Sequence, residues 1–147
     1  MSQDIIQSHS AEQTQKAGFD FASKLKPHDV VFLIGDLGAG KTTFVQGLAS
    51  GLGISTRIIS PTFVLMRQYN VAGRPIKTLY HLDLYRLKDE KEVVDIDMHD
   101  YLNDKEGIVI IEWPEIGQNL LNRAVWEIKI KMTSENSRMI EFNHGNK

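Results

Sequence analysis

Cysteine is missing from all 147 residues, so neither a disulfide nor a cysteine-based metal site is possible, and a reducing cytosol fits. No run of 18 uninterrupted apolar residues occurs, which argues against a membrane-spanning helix. Met1 to Gln7 has no basic segment and no long apolar stretch, so it does not read as a signal peptide. No tract is biased enough to argue for disorder, and no internal repeat is visible. There is no excess of positive charge either: 17 Lys and Arg stand against 19 Asp and Glu, for a net charge of −2. A protein that grips nucleic acid unaided usually shows a basic face, so a nucleic-acid role is expected to run through a partner. No set of His, Asp and Glu has zinc spacing, and His9, His28, His99 and His144 read as surface residues. What is present, 41% hydrophobic and 24% charged residues, is an ordinary globular balance. One domain over 1–147, in the cytoplasm, is the expectation.

The pattern along the chain is α/β. Residues Asp4 to Ser8 suit a short edge strand. Ser10 reads as a helix N-cap with Gln13 completing a capping box, and Ala17, Phe21, Ala22 and Leu25 follow at helical spacing. Val30 to Ile34 is a continuous apolar run, as a strand covered on both faces requires. A glycine-rich loop and a helix from Lys41 to about Leu52 come next, with Gly51 and Gly53 marking its end. Phe63–Asn70 and Ile76–Asp83 read as a β-hairpin joined by a Gly-Arg-Pro turn. Lys88 to about Tyr101 reads as helical. Ile108–Ile111 is a second buried strand, and Pro114 opens a helix reaching Leu121. Val125–Met132 and Arg138–Phe142 close the chain as a hairpin. Two strands of parallel type, each feeding a helix, with antiparallel additions, is the resulting picture.

Gly35-Asp-Leu-Gly-Ala-Gly-Lys41-Thr42 fits G-x-x-x-x-G-K-[ST] without a gap, with a buried strand before it and a helix after it. Glycines let the backbone curl so that successive N–H groups face phosphate oxygens. The helix start adds its positive dipole end. The Lys41 ammonium reaches terminal phosphates, the Thr42 hydroxyl suits Mg²⁺, and Thr43 can donate to the α-phosphate. Such a loop needs a carboxylate at the end of a neighbouring buried strand to hold the Mg²⁺ shell, and Glu112 ends the Ile108–Ile111 run. A glutamate there is poorly placed for a core role. Asp83, ending the Ile76–Asp83 strand, is a second candidate, with a salt bridge to Arg86 as the equal alternative.

Three further blocks accompany the loop in order: Ser60-Pro-Thr-Phe63, His81-Leu-Asp-Leu-Tyr-Arg86 and Ile111-Glu-Trp-Pro-Glu115. Together with the P-loop they resemble the bacterial TsaE family, also called YjeE, over nearly the whole chain. The resemblance implies a P-loop NTPase-like three-layer sandwich with a small mixed sheet and antiparallel hairpins. It implies an ATPase, weak alone, that needs ATP and Mg²⁺ and assists the TsaD–TsaB assembly in forming N6-threonylcarbamoyladenosine at position 37 of tRNAs reading codons that begin with A. The tRNA is then met through the assembly. Carried over residue by residue, Gly38, Ala39, Gly40, Lys41, Thr42 and Thr43 hold the phosphates. Thr42 and Glu112 place Mg²⁺, with Asp83 near the same site, so that Lys41, Glu112 and Asp83 carry the chemistry. Ser60 to Thr62 form a switch-like loop beside the γ-phosphate. Ser10, Glu12 and Thr14 lie near the base. Trp113 and Tyr85 line the site or its rim. Trp113 precedes Pro114, which is expected to hold it extended. It is read as a pocket lid, a partner anchor or a packed side chain. A small-molecule kinase and a non-hydrolysing nucleotide-dependent module are the alternatives. The first would want an arginine-rich lid, and residues 84–106 offer only Arg86.

Overall fold

The computed structural model describes residues 2–36, 38–58, 66–73, 75–84, 98–113 and 126–145. In chain order the elements are β1 (Ser2–Ser8), α1 (Ala11–Phe21), β2 (Val30–Ile34), α2 (Lys41–Gly51), β3 (Met66–Asn70), β4 (Thr78–Asp83), α3 (Met98–Leu102), β5 (Gly107–Glu112), β6 (Trp126–Met132) and β7 (Arg138–His144). One sheet of seven strands runs β1-β7-β6-β2-β5-β4-β3. Its middle is parallel: β2 pairs with both β5 and β6, and β4 pairs with β5. The three outer pairings, β3 with β4, β7 with β6 and β1 with β7, are antiparallel.

Both hairpins and the edge strand therefore form as the sequence pattern implies, but four strands are parallel, not two. The inner strands of the two hairpins, β4 and β6, each use their second edge for a parallel pairing that alternation alone cannot reveal. The helix expected over 88–101 is described only at Met98–Leu102. The one expected after Pro114, and the segment 63–65 of the first hairpin, lie outside the described residues.

Side chains sort by parity onto two faces. Val31 and Leu33 of β2, Ile108 and Ile110 of β5 and Leu79 of β4 join the core under α1 and α2. Val30, Phe32, Val109, Ile111, Tyr80 and Leu82 join a second core with Leu102 of α3. Helices on both faces of a sheet give the three-layer α/β sandwich. Phe21, Phe44, Trp126 and Phe142 pack together between the helices and the β6–β7 end, Phe21 meeting Trp126 edge-on at 4.9 Å.

Local chemistry explains the helix ends. Ser10 accepts from Gln13 N at 3.1 Å, while the Gln13 side chain reaches His9 N at 2.7 Å, one residue before the usual capping-box partner. Helix α2 closes in a Schellman motif: Gly53, at φ 84°, donates to Ser50 and Ile54 donates to Ala49. His28 and His144 are half-buried, not surface residues. His28 sits at φ 79° in the turn before β2 and its ring bonds Leu102 O at 3.0 Å, and His144 stacks on Trp126 at 4.0 Å.

Helices α1 and α2 touch backbone to backbone. A Cβ on Gly47 would lie 1.9 Å from Gln15 O, and one on Gly18 would lie 2.1 Å from Phe44 O. This contact sets how near the start of α1 comes to the start of α2. Gly47→Ala gains about 1 kcal/mol of helix propensity but must push α1 away from α2, an overpacking cost of about 1–3 kcal/mol or more. Net destabilisation in urea melts is the expected result, and a neutral or stabilised variant would show that the helices separate without cost.

Candidate functional site

The loop 35–42 leaves the carboxyl end of β2, the end of a parallel sheet where ligands are bound in α/β folds. Of its eight residues only Leu37 is outside the description. Gly38 and Gly40 have φ of 80° and 104°, values that L side chains rarely adopt, and Ala39 N turns back to Asp36 O at 3.0 Å. Gly35 has another reason to be glycine: an added Cβ would lie 2.7 Å from Ile130 O of β6. Gly40 is the N-cap of α2 and offers no side-chain acceptor, so the donors of the first helical turn face outward, toward an anion's position. Thr42 and Thr43, in that turn, are half-buried.

Lys41 begins α2 and is only 6% exposed. Its Nζ donates to Gly35 O at 2.6 Å, lies 3.8 Å from Glu112 Oε1, and stands 3.9 Å from the centre of the Trp113 ring. Glu112 is 3% exposed, more enclosed than its place at a strand end suggests. Its other oxygen lies 2.5 Å from Nε2 of His81, which is fully buried. Asp83, 2% exposed, is the register partner of Glu112 across the β4–β5 ladder, so the two carboxylates share one face of the sheet. Parity puts that face on the α2 side, with Ile110 and Leu79. The sheet thus brings Lys41, Glu112, Asp83 and His81 together.

These donors fit a magnesium–polyphosphate ligand. Two adjacent buried carboxylates repel unless a cation lies near them. Among the described residues no cluster of three His, Cys, Asp or Glu side chains makes a metal cage. Mg²⁺ held with a nucleotide does not need one, because it takes one or two carboxylates and fills its shell with phosphate oxygens and water.

Trp113 departs from the expected extended backbone, with φ at 57°. Pro114 disfavours the right-handed helical region and favours extended backbone, and Trp113 takes the left-handed region against that preference. That costs a bulky residue about 1–3 kcal/mol, the kind of strain found at functional sites. The indole is half-buried, packing in part on the core beneath α3 while its face meets the Lys41 ammonium.

Ser10 and Thr14 line a cavity of about 130 Å³ with Ala11, Gly40, Thr43, Glu135, Asn136 and Arg138. Glu12 is not among them. It lines a separate groove with Gln15, Phe19 and Gln46, because residues two apart on a helix point away from each other. Thr62, the Ser60–Thr62 segment, Tyr85 and Arg86 lie outside the described residues. Sequence reading missed His81 and Arg138 as site residues. His81 had a signal, since H-x-D in a strand places His81 and Asp83 on one face. Arg138 had none, being 99 residues beyond the Ala39 carbonyl that it contacts.

The sequence model described as "Threonylcarbamoyl adenosine biosynthesis protein TsaE" matches residues 8–140. The chain belongs to the TsaE family. It is 40% identical over 131 residues to the Bacillus subtilis tRNA threonylcarbamoyladenosine biosynthesis protein TsaE, covering 89% of this chain and 79% of that protein. The Rickettsia prowazekii protein of the same name is 37% identical over 139 residues, covering 94% and 93%. A crystal structure of Bacillus subtilis YdiB superposes with a TM-score of 0.81 at 33% identity, over 99% of this chain and 87% of that one. All four matched blocks of this TsaE-family chain, from the P-loop to Trp113, fall inside the matched span.

The buried ion pair is directly testable. A double-mutant cycle of Lys41→Met and Glu112→Gln, read by urea denaturation, should show coupling of about 1–3 kcal/mol between two enclosed charges 3.8 Å apart. Additivity within about 0.5 kcal/mol would mean that the pair is not energetically linked.

Proposed function

We propose that this TsaE-family chain binds ATP with Mg²⁺ in the Gly35–Thr42 loop and hydrolyses it, weakly when alone. We further propose that this activity assists the TsaD–TsaB assembly in forming N6-threonylcarbamoyladenosine at position 37 of tRNAs reading codons that begin with A. The observation that carries the nucleotide reading is the enclosed Lys41–Glu112 pair at the carboxyl ends of β2 and β5. Family membership supports the pathway, and the names of the two relatives above point the same way.

In this reading the loop donors from Gly38 to Thr43 take the phosphate oxygens, and Lys41 turns its ammonium from Gly35 O toward the terminal phosphates. The Thr42 hydroxyl and Glu112, with Asp83 beside it, hold Mg²⁺. When bound, the metal would neutralise charge on the phosphate oxygens while the terminal phosphoryl group passes to water and ADP departs. His81 keeps one Glu112 oxygen engaged, which leaves the other directed at Lys41 and the metal position. Ser10 and Thr14 wall the nucleoside side. The tRNA is reached through the assembly, consistent with a net charge of −2. Weak turnover alone follows if a partner completes the charge-stabilising set.

Lys41→Ala should weaken ATP binding or turnover by at least ~10-fold, the loss of one charge-assisted contact. Glu112→Gln should bind ATP yet lose most hydrolysis, and Asp83→Asn should do less. Trp113 fluorescence should change on ATP addition, because the ammonium beneath its ring moves, whereas Trp126 is sealed between Phe21 and His144. In a reconstituted tRNA modification reaction with TsaD and TsaB, both the lysine and the glutamate variants should fail to support repeated rounds. Parent-like ATP affinity, turnover and modification in Lys41→Ala would sink the reading.

A further inference from the structure

The first residue of β7 touches the phosphate loop. Arg138 Nε donates to Ala39 O at 2.9 Å, and Nη2 lies 3.4 Å from Gly38 O. Its Nη1 gathers the turn between β6 and β7, contacting Ser134 O and Glu135 O at 3.2 Å and Ser137 O at 3.0 Å. Among the described residues all five acceptors are main-chain carbonyls and none is a carboxylate. Arg138 also shares strand parity with Ile140 and Phe142, which puts it on the α1–α2 face of the sheet.

Two consequences follow from this geometry. A loop that aims its N–H groups at an anion must send carbonyls the other way, and unsatisfied carbonyls let such a loop relax. The rigid guanidinium fork holds two of those carbonyls at once, Gly38 and Ala39, at the positive-φ turn. The same group fastens the turn carrying Glu135 and Asn136, which closes the cavity shared by Thr43, Ser10 and Thr14. That cavity opens beside Thr43, and Glu112 is not among the residues that line it. It is small beside the several hundred Å³ of a typical ligand pocket, so it takes one part of a larger ligand whose phosphates lie in the loop.

We propose that Arg138 is a positioning residue for the phosphate loop: its fork fixes the carbonyls of Gly38 and Ala39 against the β6–β7 turn, so that the loop is preset for a polyphosphate and the turn is preset as the wall of the nucleoside side. The proposal rests on the nucleotide reading above and assigns the loop's rigidity to a residue at the other end of the chain.

The test compares Arg138→Gln and Arg138→Lys with the parent and with Lys41→Ala. The readouts are thermal unfolding without ligand and the affinities for Mg-ATP and for inorganic tripolyphosphate, which has phosphates but no nucleoside. Arg138→Gln should weaken tripolyphosphate by about 10-fold, the scale of a charged hydrogen-bond set, and ATP by at least that factor, with little change in the unfolding temperature. Arg138→Lys, which keeps the charge but not the fork, should behave like Arg138→Gln. Parent-like affinity in Arg138→Lys overturns the proposal in favour of charge alone. A loss confined to ATP overturns it in favour of a nucleoside contact. A lowered unfolding temperature with both affinities unchanged, or failure of both variants to fold, overturns it in favour of an architectural role. If the parent binds neither ligand and Lys41→Ala changes nothing, the nucleotide reading itself has failed, a result separate from the other three.

Discussion

An ammonium group enclosed at the end of a parallel sheet is the constraint around which the molecule is arranged. Removing a charge from water costs several kcal/mol even after relaxation, and attraction to a partner offsets this only in good geometry. Lys41 meets a carbonyl, a carboxylate and an aromatic face within 4 Å. Each depends on a different element. The carbonyl requires the loop to double back on Gly35, which requires glycine where β2 passes Ile130. The carboxylate requires β5 to lie beside β2 in a register that sets Leu33 opposite Glu112. The aromatic face requires the left-handed turn at Trp113. A slip of one residue in the β2–β5 pairing would put Glu112 on the wrong face and leave the ammonium without its counter-charge.

The second constraint is the close approach of two helices. Gly18 and Gly47 remove the side chains that would hold α1 off α2. Ser10 and Thr14, near the start of α1, thereby come level with Gly40 and Thr43 at the start of α2. Backbone contact in the middle of a helix pair is thus transmitted to the wall of the cavity. Ser8 of the edge strand braces Thr14 from behind: its hydroxyl is buried 2.7 Å from that of Thr14.

What the sequence showed and what it hid follow from range. The loop, its flanking strand and helix, and the glutamate that closes the Ile108–Ile111 run are local patterns, so they could be read directly. The two hairpins are also local. The parallel pairings of β4 and β6 are not, since a strand's pattern says which face is buried and not which neighbour it takes. Trp113 was misjudged because the residue before a proline is biased to extended backbone, and its φ of 57° runs against that bias. Glu12 was placed with Ser10 and Thr14 on the family resemblance, whereas helical geometry puts it in a separate groove. Arg138 could not be found without coordinates, because a side chain serving only main-chain carbonyls leaves no partner pattern in the sequence.

The charges at the site bear on how it can be switched. Lys41 is one positive charge facing two adjacent carboxylates, Glu112 and Asp83, on one face of the sheet. Two carboxylates on that face would repel a bare polyphosphate. A divalent cation reverses that balance, so metal and phosphates are expected to bind as a unit. Arg138 adds positive charge on the β6–β7 side of the loop, where its described contacts are carbonyls. On the proposed reading the anion would be drawn toward the Arg138 side and the metal toward the carboxylates. The ammonium that stabilises the ligand-free protein by pairing with Glu112 is the same group that must turn toward the phosphates. On the proposed reading, nucleotide binding gives up part of one buried interaction to make another, so the net gain is only the difference between the two, and the Lys41–Trp113 contact is the one that would register the exchange.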